Sequence, residues 1–207
     1  GTAGSCSLVL QTVLPPLMLP SAGGPSRIVL GGGTHNPMAP PFHFLDRCYA
    51  PLMRRLGANV ELTLHRLGFY PAGGGEFAAT ITPPAALAPP FNIVERGALI
   101  EAFAEALVPG VPQRVAEREL AVVGQALNWS SDQLRTPPAR QNEGPGNALL
   151  LTAVHDHVSE VVTAFGEKGT TSETVARTAL AEFEAYSAAT GALGAHFLDV
   201  FLGHRDG

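Results

Sequence analysis

The chain has 207 residues, 45% hydrophobic and 15% charged. That is enough for one domain or two small ones with a real core, and too apolar for a disordered, charge-extended chain. Thirteen basic against eighteen acidic side chains leave a net charge of −5, and Lys168 is the single lysine. A chain of this charge binds nucleic acid poorly by bulk phosphate neutralisation, so any recognition of RNA or DNA has to be local, through a few arginines around a pocket. No apolar run reaches the roughly 18 residues a membrane helix needs, and the longest, Leu8 to Leu19, carries Pro15 and Pro16. Two cysteines, Cys6 and Cys48, are too few for a disulfide framework or a four-ligand zinc site, so free thiols in a reducing, cytoplasmic setting are expected. The chain opens at Gly1 without a methionine and stops after the apolar stretch Phe197 to Leu202, as expected of a middle piece of a longer protein.

In chain order, Ser7 to Leu14 predicts a helix that ends at the Pro15-Pro16 pair, and Arg27 to Leu30 a short buried strand running into Gly31-Gly32-Gly33. From about Pro41, Phe42, Leu45, Tyr49, Leu52 and Leu56 recur at helical spacing, with Gly57 placed as the C-terminal stop. Asn59 to His65 and Glu76 to Thr82 read as paired strands around the loop Gly68 to Gly75. A proline-rich break from Pro83-Pro84 to Pro89-Pro90 marks a boundary near residue 90. Beyond it come an ambiguous apolar segment, Ala98 to Val108, and a helix from about Pro112 to Leu127. The polar loop Arg135 to Asn147 leads to a second strand pair, Ala148 to Val154 with Glu160 to Phe165. A long amphipathic helix follows, with Thr170 and Glu173 spaced as a capping box and Val175, Leu180, Phe183 and Tyr186 facing inward. The strand-pair-then-helix theme occurs twice, which predicts an α+β protein of repeated units.

Two glycine-rich strings stand out. Gly31 to Pro41 lies between a strand and a helix. Such a turn either offers backbone N–H groups to an anion, helped by the helix N-terminus, or simply needs positive φ and a proline start. In Gly68-Phe69-Tyr70-Pro71-Ala72-Gly73-Gly74-Gly75-Glu76, either the turn requires left-handed angles or a ligand approaches the backbone closely. His155-Asp156-His157 puts two imidazoles at strand spacing, but without a third ligand nearby a turn between strands explains it better than a metal site. Cys6 reads as a small buried thiol rather than a nucleophile.

Taken together, these strings resemble the RNA 3'-terminal phosphate cyclase family. Ala3 to Pro15 is similar to the family's helix that ends in a glutamine, Gly32 to Pro41 to its loop before the next helix, and Gly68 to Glu76 to its signature loop. Glu95-Arg96-Gly97, Val111 to Glu119, Gly144-Pro145-Gly146-Asn147 and Gly166-Glu167-Lys168 follow in the family's order. The resemblance implies a large domain of repeated βαβαββ-like units with a smaller α+β domain inserted: residues 1–91 in the large domain, 92–187 in the insertion, and 188–207 returning to the large domain.

It also implies a reaction of the ligase class, in which ATP drives conversion of an RNA 3'-phosphate end to a 2',3'-cyclic phosphate. A histidine attacks the α-phosphorus of ATP, AMP passes to the RNA 3'-phosphate, and the adjacent 2'-hydroxyl displaces AMP, with a divalent cation (Mg or Mn) offsetting charge on the triphosphate. Gln11 matches a glutamine that contacts the nucleotide in relatives, and Pro41 lies where the family lines the adenine pocket. His196, Phe197, Leu198, Asp199 and Val200 fall on a nucleotide-contacting stretch. There Asp199 fits while Leu198 and Val200 depart, Val200 standing in place of a glutamine amide. Leu67 stands where relatives carry Arg or His. The nucleophilic histidine is expected beyond Gly207, so no catalytic residue is assigned in this chain and the chain alone is expected not to self-adenylylate. Alternatives of other classes are a non-catalytic cyclase-like rRNA-processing factor and an enolpyruvyl-transferase-like enzyme of similar repeated architecture.

Overall fold

The computed structural model describes residues 3–86 and 88–189, apart from the side chain of Ala22. The described chain forms two compact units. One runs up to Asn92 and also takes in Arg140–Gly144; the other is Ile93–Ala139 with the chain from Pro145 onward. Each combines an antiparallel sheet with helices, an α+β architecture. Among the described residues no helix is long and apolar enough to cross a membrane.

In the first unit, Ser5 caps helix α1 (Cys6–Leu17) by accepting from the Leu8 amide at 3.3 Å. The helix does not stop at Pro15 as expected. It continues to Leu17, where the Met18 amide bonds the Leu14 and Pro15 carbonyls. Pro15 and Pro16 lack the N–H groups that the carbonyls of Gln11 and Thr12 would otherwise receive, but both prolines face solvent. Leu10 and Leu14, fully buried, hold the helix by its other side.

Strand β1 (Ser26–Gly32) alternates between half-buried and exposed residues rather than being buried throughout, because it lies at the edge of the sheet and one face meets solvent. A continuous helical run then comprises α2 (Phe42–Phe44), a π-helical segment Leu45–Tyr49, and α3 (Ala50–Arg55). It buries Phe42, Leu45, Tyr49 and Leu52 as their spacing predicts, leaves Leu56 exposed at its C-terminal end, and is closed by Gly57 at φ 103°. Strands β2 (Asn59–Arg66) and β3 (Gly75–Thr82) pair antiparallel, as expected. The sheet order β1-β3-β2 puts β3 in the middle. Phe77 from β3 stacks against Phe42 at 5.3 Å, and with Leu10, Leu14, Phe44 and Ile81 it makes the core.

In the second unit the ambiguous segment is strand β4 (Leu99–Leu107). Residues 102–107 are all buried, Glu105 included, so the apolar residues occupy successive positions without the alternation of a half-exposed strand. Helix α4 (Arg114–Leu127) starts just after Pro112 and ends on Asn128 in the left-handed region. The short β5 (Leu134–Arg135), β6 (Ala148–His155) and β7 (Ser159–Phe165) complete a sheet of order β5-β4-β6-β7.

Helix α5 (Ser172–Ala188) packs with α4 over this sheet, burying Val175, Leu180, Phe183 and Tyr186 against Ala104, Leu149, Leu151 and Val162. The cap of α5 is Thr171, not Thr170: its Oγ1 accepts from the Thr174 amide. Glu173 closes no capping box and instead receives both arms of the Arg118 guanidinium at 2.9 and 2.8 Å. His155 and His157 part company at the turn after β6. One imidazole meets the Tyr186 hydroxyl and the other the Glu95 carbonyl, while Asp156 accepts from the Ala98 amide.

Candidate functional site

Three segments far apart in sequence interlock in the first unit. The Gly33 amide donates to Gly4 and the Cys6 amide to Gly33, which docks the start of α1 onto the loop after β1. The same loop is tied to the hairpin loop between β2 and β3. The amides of Thr34 and His35 both donate to the Gly68 carbonyl, at 2.9 and 3.0 Å, and the Gly68 amide donates to Thr34 Oγ1 at 3.0 Å. Thr34 O in turn accepts from the Phe42 amide, so the loop leads directly into the helical run that Pro41 caps.

This interlock explains the glycines. A Cβ on Gly68 would sit 2.2 Å from the Gly75 nitrogen and 2.4 Å from the Gly32 carbonyl, and one on Gly75 would sit 2.5 Å from the Gly68 nitrogen. The close approach is therefore by neighbouring backbone. Gly73 and Gly74, at φ 67° and 74°, supply the left-handed angles of the turn itself. Of the two readings left open for the loop after β1, the anion-binding one loses the amides of Gly33, Thr34 and His35, which are spent on protein carbonyls.

A chain of hydrogen bonds leaves the interlock on the side of the helical run. Thr34 Oγ1 lies 2.9 Å from His35 Nδ1, and His35 Nε2 lies 2.9 Å from His43 Nδ1. Burial, reinforced by the Arg47 charge, lowers the His35 pKa to about 3. Burial, then His35, then the charges of Arg47 and Arg140 hold His43 well below the ordinary histidine value. Both rings therefore favour the neutral form.

The hairpin loop is braced at both flanks. Arg66 Nε donates to the Gly74 carbonyl at 2.6 Å. On the other side, Glu143, whose side chain is 1% exposed, accepts the Leu67 amide through Oε1 and the Arg140 amide through Oε2, each at 2.8 Å. Asn36 reaches Ala3 O with its Nδ2, while its Oδ1 is buried without a protein partner.

Gln11 lies on the second turn of α1, half-buried, roughly 8 Å along the axis from the docked start of that helix. Pro41 is buried at the end of the glycine loop. Both therefore sit on elements that the loop joins. His196, Phe197, Leu198, Asp199 and Val200 lie outside the described residues. Cys6 is buried at the docked helix start, and burial raises its thiol pKa, consistent with an inert thiol. Sequence reasoning did not single out Arg66, His35, His43, Arg140 or Glu143.

In the second unit the remaining motifs meet one another. Asn147 Nδ2 donates to Glu119 Oε1 at 2.6 Å, and the Gly166 amide to the Asn147 carbonyl. A Cβ on Gly166 would strike the Asn147 amide at 2.3 Å. Burial raises the Glu119 pKa despite the opposing Asn147 hydrogen bond. Among the described residues no group of three or more His, Cys, Asp or Glu side chains is placed to hold a metal ion.

A protein-family model described as RNA 3'-terminal phosphate cyclase matches residues 1–201. The chain is 46% identical over 200 residues to a protein of that name from Ralstonia nicotianae, covering 96% of this chain and 56% of the relative. It is 44% identical over 202 residues to one from Ectopseudomonas mendocina, with 98% and 58% covered. A counterpart from Koribacter versatilis is 41% identical over 202 residues, with 98% and 56% covered. The chain thus spans under two thirds of the length of these relatives. With the model match running through both units and the glycine motifs locked together as one structure, the chain belongs to the RNA 3'-terminal phosphate cyclase family.

Proposed function

We propose that the protein to which this chain belongs is an ATP-dependent enzyme acting on RNA 3'-phosphate ends in the cytoplasm and converting them to 2',3'-cyclic phosphates. A phosphate oxygen leaves poorly until it carries AMP, so the reaction divides into enzyme adenylylation, AMP transfer to the 3'-phosphate, and attack by the 2'-hydroxyl with release of AMP. The attacking histidine belongs to a segment outside this chain. Residues 1–91 are assigned to the large domain, 92–187 to the inserted domain and 188–207 to the return.

The observation that carries the reading is the interlock of the start of α1, the glycine loop and the signature hairpin. It makes one rigid frame on which Gln11 and Pro41 are mounted. The residues suit a nucleotide: a half-buried amide at Gln11, a buried apolar cap at Pro41, and an orphaned acceptor at Asn36 Oδ1. Asp199 and the rest of the 196–200 stretch are assigned to the same nucleotide. A divalent cation, Mg or Mn, is assigned to the ATP triphosphate, where it would offset phosphate charge.

The test is incubation of the full-length protein with α-labelled ATP and Mg or Mn, followed by an RNA bearing a 3'-phosphate. Label on the protein, discharged by the RNA with formation of a cyclic end, is expected. Absence of protein-bound AMP would remove the enzymatic reading and leave the non-catalytic rRNA-processing factor.

A further inference from the structure

We propose that Arg140 binds a phosphate group at the glycine-loop site, and that Glu143 is the positioning residue that delivers it there. The inference rests on the phosphate-handling function proposed above. It begins from the finding that the amides of Gly33, Thr34 and His35 are consumed within the protein, which leaves a side-chain cation as the stronger partner for an anion there.

The segment Arg140–Gly144 groups with the first unit, although the chain on either side of it belongs to the second. Its anchor is the buried Glu143 carboxylate, which accepts the Leu67 amide immediately ahead of Gly68. Gly144 lies against the far side of the same loop, 3.5 Å from the Gly73 carbonyl and 3.7 Å from Ala72 Cβ when a Cβ is placed on it.

The anchor does not need an arginine. Glu143 Oε1 is taken by the Leu67 amide and Oε2 by the Arg140 amide, and a backbone amide is available from almost any residue. The guanidinium adds only a long contact, Nη1 to Oε1 at 3.3 Å, and the side chain is 49% exposed. Its other N–H donors have no partner among the described residues. The guanidinium is thus tethered through Nη1 to a carboxylate, which leaves its Nε and Nη2 edge for an acceptor that can take two parallel hydrogen bonds, as a phosphate does. Its charge also reaches His43, at the end of the Thr34–His35–His43 chain, and adds to the burial that holds that imidazole below its ordinary pKa.

The phosphate comes either from the nucleotide or from the RNA terminus, and the experiment separates the two. Full-length wild type, Arg140→Ala, Arg140→Gln and Glu143→Gln are compared for equilibrium binding of labelled ATP and of one RNA made with a 3'-phosphate or a 3'-hydroxyl. Thermal melting monitors the fold. Arg140→Ala is expected to weaken one arm about tenfold, the loss of one charge-assisted phosphate contact, with little change in melting temperature. Loss in the ATP arm assigns the nucleotide phosphate. Loss confined to the 3'-phosphate RNA, sparing the 3'-hydroxyl, assigns the terminus. Glu143→Gln is expected to weaken the same arm by less. Wild-type affinity of folded Arg140→Ala for every ligand would overturn the proposal while leaving the functional reading standing; should that variant fail to fold, the same result with Arg140→Gln would do so. A wild type that binds neither ATP nor RNA would overturn both.

Discussion

The backbone N–H of Leu67 donates to Oε1 of Glu143 at 2.8 Å across 76 positions of sequence. A carboxylate with almost no exposed surface receives two backbone amides there, from Leu67 and Arg140. Replacing Glu143 by alanine leaves the Leu67 amide unpaired beside the signature glycine, and is expected to cost about 2–3 kcal/mol of stability. Urea unfolding of wild type and variant measures it, and a loss below about 0.5 kcal/mol would mean the brace is idle.

The glycines of the hairpin loop should differ sharply in tolerance. Gly68→Ala and Gly75→Ala each drive a methyl into backbone closer than 2.6 Å, with no flexible side chain to yield, and are expected to cost 3 kcal/mol or more, roughly the upper range for overpacking. Gly74→Ala meets open space and pays only for its positive φ, about 1–2 kcal/mol. Equal destabilisation of all three would contradict the close backbone approach.

His35 and His43 are buried neutral, with His35 lowered to about 3. The unfolded chain takes up the His35 proton near the ordinary value, and the folded protein only near that lowered value. The contribution is therefore complete above about pH 6.5 and is lost as pH falls from there toward the folded value, at up to about 1.4 kcal/mol per pH unit for one group. His35→Gln should flatten the stability–pH slope between about pH 6 and 5. Imidazole resonances of either residue that titrate with an ordinary midpoint would refute the burial of the pair.

Glu119 in the second unit runs the other way. Its folded pKa is raised, so the neutral acid suits the fold, and stability declines as pH rises from the ordinary carboxylate value through the raised one. Oε2 of Glu119 and Oδ1 of Asn147 are both buried without a protein donor. An amide at position 119 brings its own donor, so Glu119→Gln is expected to match or exceed wild-type stability at neutral pH. Glu119→Ala is expected to lose about 2 kcal/mol. Calorimetric melting of the two variants decides between a neutral and a charged Glu119.

Gln11→Ala in the whole protein is expected to weaken nucleotide binding about tenfold, the worth of a strong hydrogen bond to the ligand. Equilibrium titration with ATP checks it, and unchanged affinity would take Gln11 out of the proposed site.

Local pattern was enough for much of this molecule. The β2–β3 and β6–β7 pairs, the inward face of α5 at Val175, Leu180, Phe183 and Tyr186, the stop at Gly57 and the family itself are all legible along the chain, since strand alternation, helical spacing and left-handed glycine are set by neighbours a few residues away. Tertiary structure alone decided that α1 runs through Pro15 and Pro16, because the burial of Leu10 and Leu14 outweighs two missing amide donors on a solvent face. It also decided that the loop amides after β1 belong to Gly4 and Gly68, and that Glu143 belongs to Leu67. A buried amide must find an acceptor, but which acceptor it finds depends on the path of the chain through space, and no periodicity along the sequence carries that information.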